Sequence, residues 1–407
     1  MYADKVIEQV IGWRRDIHAH PELSKHEERT ASLVAGVLEG LGLEVRRNVG
    51  GNGVVGLLKG LRRGSHPPAP ATPETRGDLG GSIKYKTVGL RADMDALPLN
   101  EDTGLPFASQ TPGVMHACGH DAHTAMLLGT ACVLAGMRDE LKGNVKFIFQ
   151  PAEELNPEGG APGMIREGVL DDVEGMFALH VWPACETGKI AIRSGSVMAA
   201  SDRIFLTVRG RSAHGSRPDQ GVDAIVIAAN VITGLQSIIS RSVSPLDSAV
   251  VTIGTIHGGY RYNVIPDCVK LEGTVRTLNP SVQDRMPEMI TRTARGIAEA
   301  MGGTCEVEYV RGYPPLVNDA ELAGAAREAV KDSMEVIIPE QPDLTAEDFA
   351  FFARERPAVM AWLGCRAEGM PLEGAPMLHN TKFCPDEGCF AYGIEYFVRS
   401  ALAFLNK

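Results

Sequence analysis

Short apolar runs that stop at metal-binding side chains constrain this sequence more than any other feature. Val88-Gly89-Leu90 leads into Arg91-Ala92-Asp93-Met94-Asp95, and Val145 to Phe149 leads into Gln150-Pro151-Ala152-Glu153-Glu154. Met176 to Leu179 leads into His180. Between the first two runs, residues 122–136 form a strongly apolar helical stretch that follows Cys118-Gly119-His120-Asp121. Strands alternating with helices predict an α/β fold whose mixed, largely parallel sheet is flanked by helices. Such sheets bind ligands beyond the C-terminal ends of their strands, which is where Asp93, Glu153, Glu154 and His180 fall.

The spacing is Cys118, His120, then Glu154 34 residues later, His180 a further 26, and His379 199 after that. A thiolate, three imidazoles and a carboxylate suit zinc, cobalt, nickel or manganese. The donor end of the following helix favours the Cys118 thiolate, and a metal favours it more. Glu153 and Glu154 are adjacent like charges, and a dication gives both a reason to ionise. With one on metal, the other can take a proton from a bound water, which reads as metal-assisted hydrolysis. Asp93, Asp95 and Asp121 read better as groups orienting imidazoles than as ligands. His116 and His123 make the segment dense in imidazole, and His379 has little support from spacing alone.

A chain of 407 residues is too long for one ordinary core, so two domains are expected. Strand-like runs at 203–209, 249–256, 268–276 and 305–310 alternate with helical runs at 221–239 and 281–301, where Asn279-Pro280 offers a cap. That is the β-α-β-β-α-β ferredoxin-like order. It predicts an α+β module at 190–312 inserted into a discontinuous catalytic domain of 1–189 and 313–407, which accounts for the gap before His379. Helices are expected at 5–18, 27–41 and 319–332, then strands and loops to Lys407. Residues 60–86 are rich in Pro, Gly and charge and read as a surface loop or mobile insertion. A net charge of -11 argues against nucleic acid as a partner. The lack of a run of 18 or more apolar residues predicts no membrane span. The charged, amphipathic N-terminus has no signal-peptide pattern, so a cytoplasmic protein is expected, with its eight cysteines reduced and all but Cys118 packed as small apolar groups.

Nine stretches together resemble the metal-dependent amidohydrolases that include hippurate hydrolases, N-acyl-amino-acid aminoacylases, indole-acetyl-amino-acid hydrolases and thermostable carboxypeptidases. They are His18 to Glu22, Leu90 to Pro98, Met115 to His123, Gln150 to Glu154, Ala178 to Pro183, Asn263 to Pro266, Gly273 to Arg276, Glu347 to Phe349 and Leu378 to Asn380. The resemblance implies two divalent ions per subunit, zinc first, with manganese, cobalt or nickel as alternatives. Cys118, His120, Glu154, His180 and His379 would hold them, the thiolate shared. Glu153 would act as general base and then acid. The inserted module would be a lid that mediates a homodimer or a dimer of dimers. His214 would stabilise the oxyanion, in its own subunit's site or the partner's. Asn263 and Arg276 would hold the substrate, Arg276 through its carboxylate. By residue type alone these three are ordinary polar positions. Two features depart from the pattern: the length of 60–86, and a lid loop reading Ser212-Ala213-His214-Gly215-Ser216 rather than Gly-rich. The expected activity is hydrolysis of the amide of an N-acyl amino acid by a metal-activated water. A metallo-carboxypeptidase or dipeptidase acting on short peptides is the nearest alternative. A non-catalytic metal-binding protein, and a redox or metal sensor using Cys118, Cys384 and Cys389, are further ones.

Overall fold

The computed structural model describes residues 4–60 and 85–407, so most of the 60–86 segment lies outside the described residues. The main sheet has eight strands. In spatial order they are Glu44–Val49, Gly53–Leu58, Asn144–Gln150, Thr87–Asp93, Gly175–Glu186, Ala358–Arg366, Lys189–Ala191 and Glu335–Ile337. The four central strands are mutually parallel, and antiparallel pairings flank them. This is the mixed, largely parallel sheet expected. Thr87–Asp93 is buried at every residue, as a parallel strand covered on both faces must be. Helices Asp4–Ala19, His120–Gly136 and Cys389–Asn406 supply Val10, Met126, Ile394 and Phe397 to the core on one face. Met164, Met176, Phe349 and Phe352 fill the other.

Helix His120–Gly136 is buried almost all round, so its sequence carries no polar stripe. Its position depends on Gly119, which has φ 88° and whose added Cβ would lie 2.4 Å from Val181 Cγ2. Only glycine combines that backbone with that approach.

Two expectations need correction. The strand through His180 continues to Glu186, so His180 lies mid-strand. Parallel pairing with Ala358–Arg366 runs on to Trp182, and the ligand face is reached from within the strand. The C-terminal stretch is not strands and loops alone, because Cys389–Asn406 is an 18-residue helix. It has no side-chain cap and holds Gly393 in its interior, so packing rather than local propensity makes it helical.

A second, antiparallel sheet orders Ala249–Gly258, Cys268–Thr277, Asp202–Arg209 and Thr304–Val310. With helices Ala224–Ser237 and Pro280–Ala300 it has the β-α-β-β-α-β order and its own apolar core. Asp223 caps the first helix, and Asn279 Oδ1 accepts from Ser281 N at 2.9 Å at the start of the second. Ala224–Arg241 is long and apolar enough to cross a membrane by length and composition. Ala224, Ile227, Val231 and Leu235 nevertheless join the core under the sheet. Gly195–Met198 pairs with Leu316–Asn318, so the chain enters and leaves this module side by side.

Close helix packing gives a stability prediction. A Cβ on Gly393 would lie 2.2 Å from Met126 Sδ and 3.1 Å from Leu363 Cδ2. Gly393→Val is expected to cost about 1–3 kcal/mol through overpacking. Urea unfolding checks it, and an unchanged midpoint would mean that the two helices have room to spare.

Candidate metal centre

The candidate ligands meet above the central strands. Cys118 Sγ lies 3.4 Å from His180 Nε2 and 3.3 Å from His379 Nε2. Glu154 Oε1 stands 3.2 Å from His379 Nε2. Donor atoms of Cys118, His120 and His180 fall within 4.8 Å of one another, as do those of Cys118, Glu154 and His379. The two groups share the thiol. His379 is brought back by its own backbone, whose N–H donates to Ala117 O at 2.8 Å, and it adopts φ 62°.

Hydrogen bonds set the imidazole tautomers. His120 Nδ1 faces Asp95 O at 2.9 Å and Asp95 Oδ1 at 3.1 Å. A carbonyl only accepts, so Nδ1 carries hydrogen and the Nε2 lone pair is left for a ligand. His180 Nδ1 donates to Val181 O at 2.8 Å with the same result. His123 differs. Its Nε2 accepts from Val181 N at 2.9 Å and its Nδ1 donates to Asp93 Oδ1 at 2.7 Å, so both nitrogens are engaged. Asp95 and Asp93 therefore orient imidazoles, as expected. Asp121 does not orient a candidate ligand: its Oδ2 accepts from Arg14 Nε at 2.8 Å and pairs with His18 Nδ1 at 2.7 Å. Facing the sheet's outer layer, it ties the N-terminal helix to the ligand turn. His116 is buried with neither nitrogen partnered among the described residues, and burial pushes it down to about 4.

Cations fit this cluster on three grounds. His120 Nε2 and Glu154 Oε1 are buried without a hydrogen-bond partner among the described residues. Glu154 Oε1 is close to His379 but out of hydrogen-bond alignment. Two donors on one tetrahedral ion at zinc distances lie roughly 3.5 Å apart, close to the sulfur–nitrogen separations found. Finally, burial and the crowding of Glu154 against both push the Cys118 thiol and the Glu153 carboxyl up, a penalty that a cation there would relieve.

Glu153 is buried, with Oε2 4.0 Å from His120 Nε2. Burial, then the carboxylates of Glu347, Glu154 and Asp348, pushes its carboxyl well above the ordinary range. Asp348 N donates to Oε1 at 3.4 Å, and Tyr313 Oη donates to the Glu153 carbonyl at 2.5 Å. Behind it, Arg91 bonds Asp93 Oδ2 at 2.8 Å, and Glu347 Oε1 and Asp348 Oδ1 both at 2.9 Å. Glu27 supports the loop before Glu153 by accepting Ala152 N at 2.8 Å. Sequence reasoning gave Arg91, Glu27 and Tyr313 no role and used Glu347 and Asp348 only as part of a motif. The available signal was an arginine inside an apolar strand, which demands buried acidic partners.

Of the other three candidates, the structure brings two together. Val264 pairs with His214, and Gly215 N donates to Asn263 O at 2.8 Å. His214 Nδ1 accepts from Ser216 N at 3.2 Å, so its neutral form carries hydrogen on Nε2. Asn263 Oδ1 is buried without a partner among the described residues. Arg276 lies apart, half-buried beside a cleft of about 410 Å³ that also takes in Asp247, Gln341 and Leu344. Burial pulls its guanidinium down, against the pull of Asp202. Among the described residues no hydrogen bond or ion pair joins His214, Asn263 or Arg276 to the Cys118 cluster.

A family model described as Peptidase family M20/M25/M40 matches residues 89–403. The chain is 43% identical over 316 residues to an N-acyl-L-amino acid amidohydrolase of Geobacillus stearothermophilus, a match covering 77% of this chain and 79% of that one. It is 37% identical over 400 residues to thermostable carboxypeptidase 1 of Saccharolobus solfataricus, covering 98% and 96%. A crystal structure of a Bacillus subtilis protein, described as a dinuclear metal binding peptidase from the M20 family, matches with a TM-score of 0.82 at 33% identity and covers 99% of both chains.

Metal uptake is expected to release protons. Burial lowers the His120 imidazole, but Asp93 and Asp95 outweigh it and push it up to about 10 in the metal-free protein. Burial, then Glu154 and Glu153, holds the Cys118 thiol protonated. Both protons must leave before a cation binds, so apparent affinity rises with pH through the neutral range. Zn²⁺ titration of weakly buffered metal-free protein near pH 8 checks this, and uptake with no proton release would refute it. In the same titration Cys118→Ala is expected to bind less metal than wild type.

Proposed function

This chain belongs to peptidase family M20/M25/M40, and from that membership as an amide-bond hydrolase we propose that it cleaves N-acyl amino acids at their amide. The observation that carries the reading is Glu153: a buried carboxyl whose Oε2 stands 4.0 Å from His120 Nε2, at the edge of a cluster fit for cations that also takes in Glu154. We assign Cys118, His120 and His180 to one ion and Cys118, Glu154 and His379 to a second, with zinc as the first choice. Divalent ions there would polarise the scissile carbonyl and lower the pKa of water. They would also oppose the carboxylate push on Glu153, bringing it toward the range of a base near neutral pH. Glu153 takes the proton of the attacking water and then delivers it to the leaving amine. His214 Nε2–H donates to the carbonyl oxygen as charge develops there. Asn263 positions that group, and Arg276 holds the amino-acid carboxylate.

We assign 190–312 as a lid that closes over the cluster and joins two copies of the chain. Ala249–Gly258 is an edge strand on which Val250 and Ile256 are exposed, and Ile225 and Val226 of the helix are exposed as well. An open apolar edge is an invitation to pair with its own symmetry mate. Sedimentation should give twice the chain mass, and Ile256→Glu should reduce it to one. A wild-type monomer would sink the dimer.

The similarity to a carboxypeptidase keeps free peptides as the second substrate class. Amino-acid release from N-acetyl and N-benzoyl amino acids is expected to exceed that from dipeptides, to stop with chelator and to return with one re-added metal. Glu153→Gln should keep its metal and lose at least about a hundredfold in rate. Full activity in that variant would remove Glu153 as the base, and faster peptide cleavage would favour the second class.

A further inference from the structure

On the reading above, the substrate's carbonyl and carboxylate are accounted for and its acyl end is not. Arg276 lies on the four-stranded sheet, whereas His214 and Asn263 lie together on the separate two-stranded pair. The residue before Asn263 is Tyr262, 91% exposed, and two before it is Tyr260, 69% exposed. A single exposed aromatic needs no explanation. Two within three residues, next to the groups that meet the carbonyl, do.

The turn that carries them is pinned. Tyr260 Oη donates to Asp267 Oδ1 at 2.5 Å. Val264 N donates to Arg261 O at 3.1 Å, closing a turn around Tyr262 and Asn263. The Arg261 guanidinium stands 5.6 Å from the centre of the Tyr262 ring. Among the described residues Arg261 makes no ion pair and the Tyr262 hydroxyl no hydrogen bond. The turn therefore holds out an aromatic ring, backed by a cation, with nothing of its own chain against it.

We infer that Tyr262, held by Arg261, is a specificity-determining residue that receives an aromatic acyl group of the substrate. A flat benzoyl-type ring stacks on a tyrosine face, and the backing guanidinium limits the rotamer freedom lost on contact. An acetyl group offers no ring to stack on it. The inference rests on the proposed placing of His214 and Asn263 at the scissile carbonyl.

The test uses the metal-loaded full chain and one amino acid carrying either a benzoyl or an acetyl group. Wild type, Tyr262→Ala, Tyr262→Phe and Arg261→Ala are compared by kcat and KM. Tyr262→Ala is expected to lower the benzoyl-to-acetyl ratio of kcat/KM about fivefold through KM, Tyr262→Phe to keep it, and Arg261→Ala to fall between. An unchanged ratio, or a lower ratio that appears only with a changed sedimentation mass, overturns the inference while the proposed function stands. If wild type cleaves neither compound, the proposed function fails. Calorimetric binding of the same two compounds then decides: benzoyl-selective binding lost in Tyr262→Ala supports the subsite, and its absence overturns it.

Discussion

Acidic groups enclosed around one thiol are the constraint that the rest of this structure answers to. Asp93, Asp95 and Glu153 are buried at or just beyond the ends of central strands, Glu347 and Asp348 are buried at the start of helix Phe349–Glu355, and Arg91 reaches three of the five. No arrangement of dipoles neutralises such a set cheaply. The protein answers in layers. Arg91 and Gln150 bind Asp348, and Arg91 binds Glu347 as well, Asp93 and Asp95 meet His123 and His120, and the remaining donors converge where positive charge would have to be. The sheet supplies the rigidity, because Asp93 ends one parallel strand and Gln150 ends its neighbour in register with it.

Imidazoles that look alike in sequence are separated by what holds their far nitrogen. His120 and His180 donate from Nδ1 to oxygens and keep Nε2 open, whereas His123 accepts a backbone N–H and is closed. On the module, the backbone N–H of Ser216 does the opposite for His214 and leaves a donor rather than a lone pair facing out. The same side chain is thus left with a free lone pair, a closed ring or a free N–H according to one neighbouring atom.

Much of the fold was legible because its strands are short and apolar and their turn signals stand close by. Val145–Phe149 and Val88–Leu90 read as buried strands, and the module's alternating elements read in order. The metal-binding types were legible from the same run ends. What stayed hidden depends on distance along the chain. Arg91 finds Glu347 and Asp348 256 and 257 residues away, and nothing local announces that. Asp121 read as a group orienting an imidazole, and the imidazole it meets is that of His18, 103 residues away, with Arg14 beside it. The C-terminal helix is rich in aromatic residues and weak in local helix signals, so only its fit against Met126 and Leu363 reveals it.

His379 approaches Cys118 across 261 residues of sequence. An ion held by both would close one of the largest loops the chain can make. By the chain-entropy argument used for covalent cross-links, such a clasp removes roughly 5 kcal/mol of freedom from the unfolded ensemble. Such a centre would also be a checkpoint on synthesis: it could not be completed until His379, 261 residues past Cys118, had emerged and come home.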